Sequence, residues 1–154
     1  MLLFSRNFSS KKITFTTESN YAGNRLIFLL QNLYMPIIEK QSALRTKSSD
    51  SRLYKIIVID ENDCKRIFED FGHIYGQVTL RVNRANLSSE ELTQSFLRGV
   101  FLSCGSISDP MKSYHLEFCV PHKNLSQDLC KVLSEITECT LAPKTVVRSG
   151  SYIV

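Results

Sequence analysis

The sequence predicts an α+β domain in which helices cover one face of an antiparallel sheet and leave the other face polar. Two observations support this fold class: segments with helical spacing alternate with strand-like segments, and the order of strand, helix and paired strands occurs twice. With 154 residues the chain can bury a sizeable core, whereas two full domains would barely fit into this length. We therefore expect residues 1–154 to form a single domain.

The first predicted strand and helix lie near the start of the chain. Residues Lys12–Thr17 alternate between polar and apolar side chains, which is typical of a half-buried strand. Ser19 or Asn20 can then accept a hydrogen bond from the first free amides of a helix. Leucines recur in this helix at helical spacing, at Leu26, Leu29, Leu30 and Leu33.

Two further strands follow Pro36, which ends the helix because it cannot donate a backbone hydrogen bond. They are predicted at Ile37–Leu44 and Leu53–Ile59. The polar stretch Arg45–Arg52 joins them, so the sequence predicts a β-hairpin with a basic tip. A short helix is then predicted at Asp60–Phe71, and the glycines after it separate this helix from residues 77–82.

The central predicted element is a helix that runs to about Cys104. Ser88 and Glu91 have the spacing of a capping box, in which each side chain satisfies an amide at the start of the helix. The helix is followed by Gly105 and by an Asp109-Pro110 turn.

The last third of the chain predicts a strand, a helix and two more strands. Tyr114, Leu116, Phe118 and Val120 alternate with His115, Glu117 and Cys119, as in a half-buried strand. A helix at Lys123–Ile136 is expected to bury Leu125, Leu129, Leu133 and Ile136 on one face. Strands at Thr140–Val147 and Ser151–Val154 are expected to close the chain.

The two halves are interpreted as a degenerate internal repeat. The strand and helix at 13–33 match those at 114–136, and paired strands follow each of them. The first half-repeat spans about residues 1–71 and the second about residues 88–154. Only the second begins with a helix, Ser89–Cys104, so the first half-repeat is expected to lack its leading helix.

A stripe of small side chains follows the central helix. Ser95, Gly99 and Ser103 are four residues apart and therefore lie on one side of the helix, where a neighbouring backbone can approach closely. A core helix crossed by a neighbour would produce the same pattern, so the spacing by itself favours an ordinary core helix over a special interface.

The residues Ser95-Phe96-Leu97-Arg98-Gly99-Val100-Phe101-Leu102-Ser103-Cys104-Gly105-Ser106-Ile107 resemble the LAGLIDADG motif. Their continuation, residues 108–117, is similar to the version of this motif in the WhiA family of bacterial regulators. The resemblance implies a curved antiparallel sheet with helices on one face and DNA on the other. It also implies a DNA-binding transcriptional regulator of sporulation or cell division, whose helix-turn-helix domain is absent from this chain.

The resemblance assigns Cys104 to the position where LAGLIDADG nucleases carry the carboxylate that holds Mg²⁺. A thiol is a poor ligand for this hard cation, and Asp109 lies in a turn that would point away from such a site. We therefore expect a domain that is not an enzyme, with no metal or other cofactor. Three potential metal ligands, His115, Cys119 and His122, lack a fourth and are not interpreted as a metal site.

Basic residues give the candidate DNA contacts. Arg45, Lys47 and Arg52 cluster at the hairpin tip, Lys12 begins the strand whose Thr14 and Thr16 would face the open side of the sheet, and Lys112 follows the later turn. Lys144 and Arg148 are secondary candidates. Glu117 and Glu39 would share the open face and repel phosphate. The formal net charge of +4 is compatible with a polyanionic partner without requiring one.

Several alternatives stay open. A homing endonuclease would need a carboxylate elsewhere that restores Mg²⁺-dependent cleavage, and a protein-docking module would bind in a manner insensitive to salt. The stripe of small side chains at Ser95, Gly99 and Ser103 could also pack against a second copy of the chain or against the missing half-domain. Five cysteines without a paired motif, and the lack of a signal or membrane-spanning segment, predict a cytoplasmic protein. The resemblance to a DNA-binding regulator implies that it is associated with the nucleoid.

Overall fold

The computed structural model describes residues 1–44, 52–109, 111–112, 114–136 and 142–154 of the chain. These residues form two compact units. The N-terminal unit consists of residues 2–78, and the C-terminal unit consists of Met1 with residues 79–154. The boundary falls between the two predicted half-repeats. The expected α+β class is confirmed, with one four-stranded antiparallel sheet in each unit.

The N-terminal unit contains a four-stranded sheet in the order β1-β2-β4-β3. Every neighbouring pair in it is antiparallel. Its elements are a 3-10 helix Leu2–Phe4, β1 Asn7–Phe8, β2 Ile13–Thr17, α1 Asn20–Leu33, β3 Ile38–Leu44, β4 Arg52–Val58 and α2 Glu61–Asp70. The predicted strands and helices of the first half are therefore present, and the hairpin β3–β4 pairs Leu44 with Arg52 where its two strands meet the segment that connects them.

Local signals set the ends of α1 and α2. The Ser19 hydroxyl accepts a hydrogen bond from the amide of Ala22, 3.2 Å away, so Ser19 is the N-cap of α1. The Asp60 carboxylate plays the same part for α2 by accepting from the amides of Asn62 and Asp63. Both helices begin within one residue of the predicted position. α1 ends at Leu33, three residues before Pro36.

An aromatic cluster forms part of the core of the N-terminal unit. The rings of Phe68 and Phe71 lie 5.2 Å and 5.1 Å from the ring of Phe8. The His73 ring lies 4.9 Å from the ring of Phe68. Phe68 is fully buried, and α2 is thereby fixed against the edge of the sheet.

The buried His73 makes the N-terminal unit sensitive to acid. Its Nε2 atom has no hydrogen-bond partner, and burial lowers its pKa below the ordinary value of 6.5. The unfolded chain therefore binds a proton more readily than the folded chain, and stability falls as the pH drops below about 6.5. We expect the Tm to decrease between about pH 7 and pH 5.

Circular dichroism melts of the wild type and of His73→Phe test this expectation. The variant keeps an aromatic ring but cannot be protonated, so its Tm should depend less on pH over the same interval. Phe71→Leu is the control for altered packing, because it changes the aromatic cluster around Phe8 but keeps His73, so its Tm should depend on pH as that of the wild type does. An equal loss of Tm in the wild type and in His73→Phe would contradict the assignment.

The C-terminal unit has a sheet of the same topology, in the order β5-β6-β8-β7. Its elements are a 3-10 helix Arg84–Leu87, α3 Glu90–Cys104, β5 Gly105–Ile107, β6 Leu116–Val120, α4 Lys123–Ile136, β7 Val146–Arg148 and β8 Ser151–Ile153. In both units a hairpin leads into a helix, a second hairpin follows, and the last strand pairs with the second one. The internal repeat is therefore visible in the strand order itself.

The residues that precede β1 form a 3-10 helix, Leu2–Phe4, at the place where the second half-repeat has the helix α3. Residues 77–82 form no strand, although Leu80 and Val82 are buried. In the C-terminal unit the core includes Val100, Val120 and Leu125. No helix in the described ranges is long and apolar enough to cross a membrane.

Two expectations about the core of the C-terminal unit were wrong. Tyr114 lies before the start of β6 and is exposed, and Leu116 is half exposed. In α4, Ile136 is also exposed at the last helical residue, and Val132 is buried instead. Alternation along a strand and the spacing along a helix predict the direction in which a side chain points. Whether that side chain is buried also depends on a neighbouring element that covers it.

Asp128 on α4 holds the irregular segment at residues 81–84 against this helix. This buried carboxylate accepts a hydrogen bond from the Val82 amide at 3.0 Å and forms an ion pair with Arg81 at 2.8 Å. A second ion pair joins Arg84 to Glu135 at the surface. The irregular segment is therefore held by charge-assisted contacts to one helix.

Candidate nucleic-acid interface

The motif helix α3 begins and ends at defined residues. The Ser89 hydroxyl accepts from the amide of Leu92 at 3.3 Å, so the N-cap is Ser89. The predicted cap, Ser88, instead closes the preceding 3-10 helix. Gly105 ends α3, and a Cβ atom there would lie 2.8 Å from the Cα atom of Phe101. Only glycine allows the helix to pass directly into β5.

The small stripe on α3 is partly covered within the C-terminal unit. A Cβ atom added to Gly99 would lie 3.1 Å from the backbone nitrogen of Met1. Ser95 is exposed, while Ser103 is half-buried and its hydroxyl has no hydrogen-bond partner. Close approach of a backbone to Gly99 therefore occurs, as the spacing predicts. The use of Ser95, Gly99 and Ser103 for assembly stays a prediction.

Cys104 is the last residue of α3 and carries a neutral thiol. Its sulfur donates to the carbonyl of Val100 at 3.5 Å. Burial is the main reason that the pKa of this thiol is raised to about 12; the charge of the Met1 amino group opposes the rise, and the nearby Cys119 contributes to it. A thiol that stays protonated at neutral pH is unsuited to Mg²⁺. Among the described residues no group of three or more His, Cys, Asp or Glu side chains could hold a metal ion.

His115 and Glu117 form a local ion pair beside β6. The Nε2 atom of His115 lies 2.8 Å from a carboxylate oxygen of Glu117, and Arg148 lies 3.6 Å from the same oxygen. The hydrogen bond from His115 lowers the pKa of Glu117, and the charge of Arg148 lowers it too. Glu117 and Arg148 therefore offset each other. Their charges leave this surface less basic than Arg148 alone would make it.

The predicted basic contacts occupy several places. Lys12 is exposed in the turn before β2, where its amide donates to the Ser9 hydroxyl. Arg52 is exposed at the first position of β4. Lys112 is exposed in a turn of the C-terminal unit, and its amide donates to the carbonyl of Asp109. Arg45 and Lys47, the remaining predicted contacts, lie outside the described residues.

The open face of the N-terminal sheet is polar near its centre. Thr16 lies opposite Lys55, and Lys55 lies opposite Gln41, so the three side chains form one row across β2, β4 and β3. All three are exposed. Glu39 is exposed beside them and accepts a hydrogen bond from Gln41 at 2.7 Å. This row can offer a cation, a hydroxyl and an amide to a ligand.

Thr14 does not belong to this exposed row, contrary to expectation. It is only 2 % exposed, and its hydroxyl has no hydrogen-bond partner. Lys55 was missed by the sequence analysis. The alternation of Leu53, Lys55 and Ile57 with buried Ile56 and Val58 is the signal that could have found it.

The chain is similar to WhiA proteins in sequence. Residues 93–154 match the family model described as "WhiA LAGLIDADG-like domain". "Probable cell division protein WhiA" of Clostridium perfringens is 32% identical over 154 residues, covering 96% of this chain and 48% of that protein. The Alkaliphilus metalliredigens protein of the same name is 28% identical over 147 residues, covering 92% and 45%. The chain thus spans about half the length of the curated relatives it matches.

Two solved structures have a similar fold. The N-terminal LAGLIDADG domain of DUF199/WhiA aligns with a TM-score of 0.64 and 20% identity, covering 99% of this chain and 69% of that chain. Full-length DUF199/WhiA from Thermatoga maritima aligns with a TM-score of 0.66 and 21% identity, covering 99% and 46%. The alignments include both half-repeats of the chain described above.

Proposed function

Because the chain carries a LAGLIDADG-like domain of the WhiA family, we propose that it acts as a non-catalytic, DNA-binding regulatory domain. The proposal rests on one observation above all: the exposed row of Thr16, Lys55 and Gln41 on the open face of the N-terminal sheet. Hydroxyl, amide and ammonium groups are the donors that bind phosphates and base edges. Lys12 and Arg52 add positive charge in the same unit.

The lack of catalysis in this proposal rests on Cys104. Hydrolysis of a phosphodiester by the usual metal route needs carboxylates that hold Mg²⁺ at the end of the motif helix. By its resemblance to the LAGLIDADG motif the chain carries Cys104, whose thiol is neutral, at the position of one of them. The domain would then act by binding to DNA without cutting it. The regulated process would be cell division, as the name of the relatives suggests, or sporulation. Such a domain would act at the nucleoid, in the cytoplasm.

Fluorescence anisotropy with a labelled DNA duplex at several salt concentrations tests the DNA-binding role. We expect the affinity for DNA to fall as the salt concentration rises. Lysine and arginine side chains that bind phosphates release counterions from the DNA, and a high salt concentration opposes this release. Lys55→Gln should weaken binding. It should also reduce the magnitude of the slope of log K against log salt by about 1, which corresponds to the loss of one phosphate contact. Lys65→Gln is the matched control, since Lys65 lies on α2 beside Glu69.

A gel of the same samples with Mg²⁺ tests the absence of catalysis. Uncut DNA is expected. Cut DNA would contradict the interpretation of Cys104 and would favour the endonuclease alternative. Failure to bind any duplex at low salt would contradict the DNA-binding role.

A further inference from the structure

The outward side of α1 carries two exposed aromatic rings. Tyr21 is 72 % exposed and Phe28 is 57 % exposed. The two residues are seven positions apart, close to two helical turns, so both rings project from the same side of α1 at places about 10 Å apart along its axis. This outer face comprises six exposed residues: Asn20, Tyr21, Asn24, Arg25, Phe28 and Asn32.

The outer face is positively charged. Arg25 lies between the two rings along the helix, and its guanidinium carbon is 5.6 Å from the centre of the Phe28 ring. Lys40 of β3 reaches the first turns of α1, where its ammonium group donates to the side-chain oxygens of Asn20 and Asn24 at 2.7 Å and 2.6 Å. The sequence of α1 contains no aspartate or glutamate. Because uncharged groups hold both cations, their positive charge is available to an anionic partner.

The polar groups of the outer face are amides. An asparagine side chain offers two N–H donors and one acceptor, which match the hydrogen-bonding edges of bases. Asn32 directs one N–H to the carbonyl of Phe28 at 2.8 Å and lies beside that ring. Aromatic rings, amides and cations without carboxylates are the composition of a nucleic-acid surface.

The exposed rings favour a single strand over a duplex. An aromatic side chain stacks on a base only where the face of the base is free, and in a duplex the neighbouring base pairs cover both faces. In a single strand each base can leave its neighbours and stack on a ring. Tyr21 and Phe28 therefore fit two bases of one strand.

We propose that the outer face of α1 binds single-stranded DNA, with one base on Tyr21, a second on Phe28 and the phosphates near Arg25 and Lys40. The choice of DNA over RNA rests on the proposed function, whereas the recognition of a single strand does not. The duplex surface is separate. Gly23 of α1 lies against Ile56 of β4, and the adjacent Lys55 points to the other side of the sheet.

Anisotropy of a fluorescein-labelled oligothymidylate tests the proposal, because this strand does not pair with itself. The whole chain should bind it saturably at low salt. Phe28→Ser and Tyr21→Ser should each weaken binding by about tenfold, the effect expected from the loss of one stacked base. Both side chains are exposed, so both variants should fold. Tyr114→Ser is the matched control and should bind like the wild type, since Tyr114 is 93 % exposed in the C-terminal unit.

A tryptophan at position 28 reports stacking directly. The chain contains no tryptophan, so Phe28→Trp introduces a single indole. This variant should keep its affinity, and unlabelled oligothymidylate should quench its fluorescence because a base stacks on the indole. Arg25→Gln should weaken binding and reduce the magnitude of the slope of log K against log salt by about 0.7, the value for one phosphate contact of a single strand.

Several outcomes would overturn the proposal: no binding at low salt, equal affinities of the wild type and Phe28→Ser, or unchanged fluorescence of Phe28→Trp. Tighter binding of the corresponding ribo-oligonucleotide would make RNA the ligand. A concentration-dependent dimer that Phe28→Ser disperses would make a second copy the partner. Lys55→Gln should weaken duplex binding and leave oligothymidylate binding unchanged. A loss of single-strand binding alone thus contradicts this proposal, and a loss of duplex binding alone contradicts the proposed function.

Discussion

Replacing Phe68 with alanine is expected to lower the free energy of unfolding of the N-terminal unit by about 3–5 kcal/mol. Phe68 is fully buried between Phe8 and His73. Truncation removes its contacts and leaves a cavity that the flanking strands and helix can fill only in part. Because small domains are stable by only about 5–15 kcal/mol, such a loss brings the unit close to unfolding.

Urea denaturation followed by circular dichroism measures this loss, and hydrogen exchange assigns it to residues 2–78. Phe28→Ala is the matched control, because Phe28 lies on the outer side of α1 and is exposed. We expect it to cost less than about 1 kcal/mol. Equal midpoints for Phe68→Ala and Phe28→Ala would show that α2 does not pack on the sheet as described.

The second large effect is expected at Asp128. Asp128→Ala should destabilise the C-terminal unit by about 3 kcal/mol, because it leaves the Val82 amide without its acceptor and Arg81 without its counterion. Arg81 is half exposed and can be rehydrated, so the loss stays at the lower end for a buried ion pair. Asp128→Asn keeps an acceptor for Val82 and should cost about half as much.

Glu135→Ala provides the comparison for the Asp128 variants. It removes the ion pair with Arg84, in which both side chains are largely exposed, and should change stability by less than about 1 kcal/mol. Thermal melts at low and high salt measure all three variants. A cost for Glu135→Ala as large as that for Asp128→Ala would mean that burial of the carboxylate does not matter.

Local patterns in the sequence were sufficient for most elements of the fold, although the short strands β1 and β5 were not predicted and β7 begins later than expected. The helix α4 was predicted at the residues where it lies, and β3 and β4 were predicted within one residue of their bounds. The repeat was found because strand, helix and paired strands recur in the same order, and the two sheets indeed share one strand order. Periodicity and capping act over a few residues, so one sequence reveals them.

The candidate site was predicted less completely. Cys104 does lie at the end of the motif helix, as the motif required. Thr14, however, is buried although it alternates with core residues, and Lys55 was missed on a strand that was predicted correctly. Alternation assigns a residue to one face of a sheet, but whether that face is covered depends on residues far away in the chain.

The sequence by itself determined the half-repeats and the order of the four α-helices and of most strands, because these depend on local spacing and on side-chain chemistry. Only the tertiary structure decided that Asp128 holds the segment around Val82, that Met1 lies against Gly99, and that Leu116 is half exposed. These features depend on contacts between residues distant in sequence, and a single sequence carries no local pattern for them.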